Sequence, residues 1–172
     1  MTPRVIVVMG VSGSGKTTIA ARLAERLGWT FAEADRFHSP ANVGKMRSGT
    51  PLTDEDRAPW LAALAAWIDQ ARAAGENAVV ACSALKRRYR DVLIGARRDV
   101  QLVYLKGNHG LIAQRMAARP HHYMPVSLLA SQFEALEEPG PDEHPVVVGI
   151  EPAPEIVVER IVAAVGIAPA RL

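Results

Sequence analysis

Short, strand-like runs rich in apolar residues recur along the chain at residues 5–9, 78–82, 101–105 and 146–148, with a weaker one at 30–34. The first, Val5-Ile6-Val7-Val8-Met9, contains no polar residue. That is the pattern of a strand covered on both faces, as in a parallel sheet. Between the runs, apolar residues recur at helical spacing: Ile19, Leu23 and Leu27; Leu61, Leu64, Ile68 and Ala71; Leu128, Leu129 and Phe133; Ile156, Val157, Ile161 and Val165. Strands alternating with helices predict βαβ units and a three-layer α/β/α domain with a parallel sheet.

The longest predicted helix starts near Thr53, which forms a capping-box pattern with Asp56, and Gly75 supplies its stop. Pro59 falls in its first turns, where proline is tolerated, and Trp60 and Trp67 flank its apolar face as core residues. Further helices are predicted over residues 86–95, with Ser83 as a candidate cap, and over 111–118, ended by Pro120. Pro125 opens the next, and Glu137-Glu138-Pro139-Gly140-Pro141 then breaks the chain. With 172 residues, 49% of them apolar, the sequence is expected to form one domain over 1–172. A net charge of +2 and short basic clusters argue against nucleic acid as a partner. Cys82 is the single cysteine, so an internal disulfide is excluded, and its apolar neighbours predict a buried thiol. The apolar start is too short to span a membrane and no targeting segment is evident. A cytoplasmic protein is expected.

Candidate chemistry begins directly after the first strand. Residues 10–17 read G-V-S-G-S-G-K-T, a complete G-x-x-x-x-G-K-[ST] phosphate loop placed between a strand and a helix. Gly13 and Gly15 let backbone N–H groups turn toward a polyphosphate, and the helix N-terminus adds partial positive charge. Lys16 is expected at the β- and γ-phosphates and the Thr17 hydroxyl on Mg²⁺.

Four other clusters choose the reaction. Asp35-Arg36-Phe37-His38 follows the second strand; there Asp35 is placed to accept a proton from a substrate hydroxyl or to help hold Mg²⁺, and His38 to donate to a substrate oxygen. Residues 42–60 gather Lys45, Arg47 and Arg57 around a Gly-Thr-Pro turn, suited to an anionic acceptor, with Arg57 the strongest candidate for a carboxylate. Residues 82–91 place Lys86 and Arg90 four apart on one helix face. Residues 115–125 carry Arg115 and Arg119 before a proline-bounded loop, the pattern of a lid that closes over phosphates. His121 and His122 lack further ligands at metal spacing.

Taken together, these segments resemble the gluconate kinases (gluconokinases), a group of small P-loop kinases. The matching pieces are residues 10–17, Asp35-Arg36-Phe37-His38, Lys45-Met46-Arg47-Ser48-Gly49-Thr50-Pro51-Leu52, Asp56-Arg57-Ala58-Pro59-Trp60-Leu61, Cys82-Ser83-Ala84-Leu85-Lys86, Tyr89-Arg90-Asp91, Tyr104-Leu105-Lys106-Gly107 and residues 131–137. The K-M-x-x-G-x-P-L, D-R-x-P-W-L and C-S-A-L-K blocks are far more specific than the phosphate loop. The resemblance implies an adenylate- or shikimate-kinase-like P-loop NTPase core with a helical lid over about 108–137. It implies transfer of the ATP γ-phosphoryl group to the 6-hydroxyl of D-gluconate, with Mg²⁺, often by a homodimer. Gly10, Ser12, Gly13, Ser14, Gly15, Lys16, Thr17, Thr18, Arg115 and Arg119 are then the ATP-binding set, and Lys16 and Asp35 the catalytic pair. Asp35, His38, Lys45, Arg57, Lys86, Arg90 and Gln132 are the candidates for holding gluconate. Two segments depart from the family pattern: Pro120-His121-His122-Tyr123-Met124-Pro125 in the lid, and Val148-Gly149-Ile150-Glu151 where an acidic run is expected. The alternatives are a related kinase for shikimate or a nucleoside monophosphate, and a nucleotide-binding module without catalysis.

Overall fold

Five parallel strands form the sheet of the computed structural model, which describes residues 2–118, 126–168 and 170. They are β1 (Val5–Met9), β2 (Thr30–Glu33), β3 (Ala78–Ala81), β4 (Val100–Lys106) and β5 (Val146–Gly149), in the order β2-β3-β1-β4-β5. Val7 of β1 lies in register with Val80 of β3 and Leu102 of β4. Arg119, Pro120, His121, His122, Tyr123, Met124 and Pro125 lie outside the described residues.

Every residue of β1 is fully buried, and the pleat sends its side chains to two cores. Ile6 and Val8 pack with Ile19, Leu23 and Leu27 of α1 (Lys16–Leu27) and with Val158 and Ile161 of α7 (Pro154–Val165). Val5, Val7 and Met9 pack on the other face with Leu61, Leu64 and Ile68 of α3 (Asp54–Ala73) and Leu93 of α4 (Arg87–Leu93). Parallel strands require crossovers, and helices covering both faces supply them, giving the three expected layers. Ile112 and Met116 of α5 (His109–Ala117) and Leu129 of α6 (Val126–Ala135) extend the first core toward the carboxyl edge. Among the described residues no helix is long and apolar enough to cross a membrane.

The α3 start is built as its sequence predicts. Thr53 Oγ1 accepts the Asp56 N–H at 3.1 Å, and Asp56 Oδ2 accepts the Thr53 N–H at 2.9 Å. That backbone bond, with the Lys45 ammonium, holds the Asp56 carboxyl down to about 2. Trp60 is buried and its indole N–H donates to the Ala34 carbonyl at 2.7 Å, tying α3 to the turn after β2.

One element was not expected: α2 (Pro40–Arg47) forms before the Gly-Thr-Pro turn, with Ser39 as N-cap accepting the Asn42 N–H and proline at the first position. One local expectation fails: Ser83 does not cap α4, because Lys86 occupies that position and makes no side-chain cap.

Candidate active site

The carboxyl ends of β1, β2 and β3 meet where the strand order reverses, the position at which open α/β sheets bind ligands. At the end of β1 the backbone turns through Gly13 (φ 82°) and Gly15 (φ 90°), a conformation open to glycine, and Gly15 becomes the N-cap of α1. A Cβ on Gly13 would sit 2.6 Å from Met116 Cγ, so that position is closed to larger residues. Ser14 is almost fully buried and its hydroxyl has no partner among the described residues. Lys16 opens α1 beneath the loop. Burial pushes its ammonium below the usual lysine range, against the pull of Asp35, Cys82 and Glu33. Gln132 reaches across from α6, its Oε1 accepting the Ser12 N–H at 2.7 Å, so it sits on the phosphate loop itself.

Glu33, at the end of β2, is a site residue that the sequence reading missed. Thr17 Oγ1 donates to Glu33 Oε2 at 2.6 Å, which puts a hydroxyl and a carboxylate side by side at the start of α1. The spacing Glu33-Ala34-Asp35, two acids straddling a strand end next to a phosphate loop, was the available signal. Asp35 is exposed on the 3-10 turn Ala34–Phe37, close enough to Lys16 and His38 to act on the charge of both.

The ring of His38 stacks on Trp60 with centroids 4.2 Å apart and planes 14° apart. Burial lowers the His38 pKa and Arg57 adds to the effect, while Asp35 opposes it. Arg57 Nη1 donates to the Leu52 carbonyl at 2.8 Å, and its guanidinium lies 5.7 Å from the Tyr89 ring centroid. The Lys86 ammonium lies 5.8 Å from the same centroid and 3.8 Å from Asp54 Oδ1, a looser pairing than that of Lys45 with Asp56. Arg57 and Lys86 therefore gather at the Tyr89 ring, and His38, whose charge both Asp35 and Arg57 act on, lies on the Arg57 side of this ledge.

The remaining cations separate from this ledge. Lys45 donates to both Asp56 carboxylate oxygens at 2.9 and 3.0 Å, so its charge is matched within the α2–α3 corner. Arg90, expected to face the substrate, does not. Its side chain is 2% exposed. Nε and Nη2 hold Glu143 at 2.7 and 3.2 Å, and Nη1 donates to the carbonyls of Ala84 and Leu85 at 2.9 and 3.1 Å. Arg90 is a brace beneath the 82–86 loop, because Lys86 is the extended N-cap of α4 whereas Arg90 lies within the helix and is drawn inward by Glu143 and the Ala84 and Leu85 carbonyls.

On the other side of the loop lies a cavity of about 320 Å³, lined by Gly13, Thr18, Arg115, Ile150, Pro152 and Val157 among others. Arg115 donates to the Glu151 carbonyl at 3.2 Å. The segment that departs from the family pattern, Val148-Gly149-Ile150-Glu151, thus contributes one wall.

A strand–phosphate loop–helix unit on a five-stranded parallel sheet, with acids at the end of β2, defines a P-loop nucleotide-binding domain of the small-kinase type. A family model described as an AAA domain matches residues 5–139. The gluconokinase of Gluconobacter oxydans is 50% identical over 162 residues, covering 94% of this chain and 91% of that one. A sugar kinase structure from a Janibacter species superposes with a TM-score of 0.90 at 50% identity, covering 97% of this chain and 96% of that one. A gluconokinase structure from Sinorhizobium meliloti gives 0.85 at 43% identity, over 96% and 93% of the two chains. The chain belongs to the gluconokinase family of P-loop kinases.

Proposed function

We propose that this protein transfers the γ-phosphoryl group of ATP to the 6-hydroxyl of D-gluconate, giving 6-phosphogluconate and ADP. Beyond family membership, the observation that carries this reading is Asp35 acting on the charge of both Lys16 and His38, with Arg57 close to His38 and Lys86 beside Arg57 at the Tyr89 ring. It combines a carboxylate for a hydroxyl proton with cations for an acceptor carboxylate, which suits a sugar acid.

The nucleoside of ATP occupies the 320 Å³ cavity beside Arg115 and Pro152. Its phosphates lie on the N–H groups of residues 10–17 and the hydroxyls of Ser12, Ser14 and Thr18. Thr17 and Glu33 are hard oxygen donors held together at the helix start, and they fit Mg²⁺, which binds through few protein oxygens plus phosphate and water. When bound, that ion neutralises charge on the phosphate oxygens. Asp35 takes the proton of the 6-hydroxyl as its oxygen bonds to the γ-phosphorus and the bond to the β,γ-bridging oxygen breaks. Lys16 and the loop N–H groups stabilise the charge spread over the transferring group. Arg57 and Lys86 hold the gluconate carboxylate, and His38 donates to an acceptor oxygen. Lys45, paired to Asp56, supports this ledge from outside. Arg115 and Arg119 belong to a lid over 108–137 that excludes water and so suppresses ATP hydrolysis. The same reading takes residues 1–172 as one kinase domain and the protein as a cytoplasmic homodimer that needs neither nucleic acid nor membrane; sedimentation of the purified protein checks the dimer.

ADP release from ATP should require both D-gluconate and Mg²⁺ in a coupled assay. Release only with shikimate or AMP would replace the substrate, and gluconate-independent release without a phosphorylated sugar acid would replace the reaction. In the same assay Asp35→Asn should lower kcat by about a hundredfold while leaving KM for ATP within about twofold. A change confined to KM for ATP would remove Asp35 from the proton transfer.

A further inference from the structure

Asn42 is the one buried polar residue of α2, at 5% exposure, and its side chain faces the acceptor ledge rather than solvent. One atom, Nδ2, makes two contacts: 2.8 Å to the Asp56 carbonyl oxygen and 3.2 Å to His38 Nδ1. A carbonyl oxygen only accepts, so the amide must point its nitrogen there, and the reverse orientation would set two acceptors against each other. With one amide hydrogen on Asp56, the second is directed at His38 Nδ1. An amide nitrogen cannot accept, so Nδ1 must present its lone pair.

We propose that Asn42 is a positioning residue that fixes His38 as the neutral tautomer protonated at Nε2, so that the ring presents an N–H donor to an oxygen of the acceptor. This rests on the sugar-acid reading of the ledge. The ring has little freedom to escape the arrangement. It is stacked on Trp60, and Trp60 is tied to the Ala34 carbonyl. Nε2 makes no hydrogen bond among the described residues, whereas Nδ1 is committed. Protonating Nδ1 would set N–H against N–H. Burial and Arg57 of α3 act in the same direction, and Asp35 on the neighbouring turn opposes them. Asp56, which also faces Asn42, has its carboxylate matched by Lys45. The consequence is a division of labour. His38 donates and does not compete with Asp35 for the hydroxyl proton. An Nε2–H donor also recognises an oxygen with a free lone pair, which a carboxylate or hydroxyl of a sugar acid supplies.

The test is a long-range ¹H–¹⁵N correlation spectrum of the full, uniformly labelled protein without substrate near neutral pH. The chain has five histidines, and His38→Gln identifies the His38 signals by their loss. The expected wild-type result is a protonated Nε2 and an unprotonated, hydrogen-bonded Nδ1. Asn42→Ala should give a tautomer mixture. It should also raise KM for gluconate by about threefold to tenfold, the worth of one hydrogen bond, with KM for ATP unchanged. A role confined to holding α2 against α3 would not move the tautomer. A wild-type His38 protonated at Nδ1 would overturn the proposal, as would an Asn42→Ala protein that keeps the pure Nε2–H form. If Asn42→Ala does not fold, the wild-type spectrum decides alone. If the wild type shows the Nε2–H form yet fails to turn over gluconate, the tautomer assignment stands and the substrate reading falls.

Discussion

Arg90→Leu should lower the unfolding free energy by about 3–5 kcal/mol, the usual effect of removing one partner from a buried ion pair. Glu143 would lose both guanidinium contacts and keep only the Gly140 N–H, at 2.9 Å. The carbonyls of Ala84 and Leu85 would lose their donor as well. Ala84 sits at φ 45°, a left-handed backbone that costs about 1–2 kcal/mol outside glycine and persists only while its surroundings hold it. The pH dependence follows from Glu143. Burial favours its neutral form, but Arg90 and the Gly140 N–H outweigh burial and hold the carboxyl below its ordinary value. In the wild type that contribution is present above the unfolded carboxyl value and is lost only as pH falls through the lower folded value. In Arg90→Leu burial acts unopposed by Arg90, so Glu143 protonates more readily and the deficit should shrink on moving from pH 7 to pH 5. Urea titrations at the two pH values measure this. Adding Glu143→Met to Arg90→Leu should recover most of the loss. A single-variant deficit below about 1 kcal/mol would show that Glu143 finds water instead.

Lys16→Ala should cut kcat by about a hundredfold to a thousandfold, as removal of one donor from a developing anion does. The physical interest lies in what it should not change. Burial already disfavours the Lys16 ammonium, and Asp35, Cys82 and Glu33 only partly offset this. Its charge therefore adds little to the fold, and under the proposed function it should count at the phosphates. The nucleotide-free variant should match the wild-type thermal midpoint, while the rise in midpoint that ATP produces should be lost. Differential scanning fluorimetry with and without ATP, beside the coupled assay, separates the two effects. Near-normal turnover would remove Lys16 from its phosphate role, and a lower midpoint without nucleotide would make it a structural cation.

The strands and α3 were legible in the sequence because their signals are local. A strand buried on both faces is a continuous apolar run, as Val5-Ile6-Val7-Val8-Met9 is, and the Thr53–Asp56 box lies within four residues of chain. The phosphate loop was legible for the same reason. Helix α2 was not, because the residue it buries is the polar Asn42 and no apolar stripe marks it. Its start at Ser39-Pro40 was written in capping chemistry alone. Arg90 was misplaced because its partner Glu143 lies 53 residues further on, just past the chain break at 137–141 and outside every element read from the sequence. Spacing puts Lys86 and Arg90 on one face but does not say whether that face meets water. Glu33 was passed over as a strand residue, and only its contact with Thr17 assigns it to the site.

Cys82 gives the molecule a built-in clock. It is the single sulfhydryl in the chain, it is 1% exposed, and burial pushes it to about 12 despite the Ala84 N–H and Lys16. A thiol so protonated and covered should ignore an aromatic disulfide reagent until the chain around β3 opens. The rate at which the thiol is consumed then reports how readily the region around β3 opens, without tag or denaturant. Because Cys82 shares its loop with the Arg90-braced carbonyls, the clock should run faster in Arg90→Leu and keep its pace in Lys16→Ala.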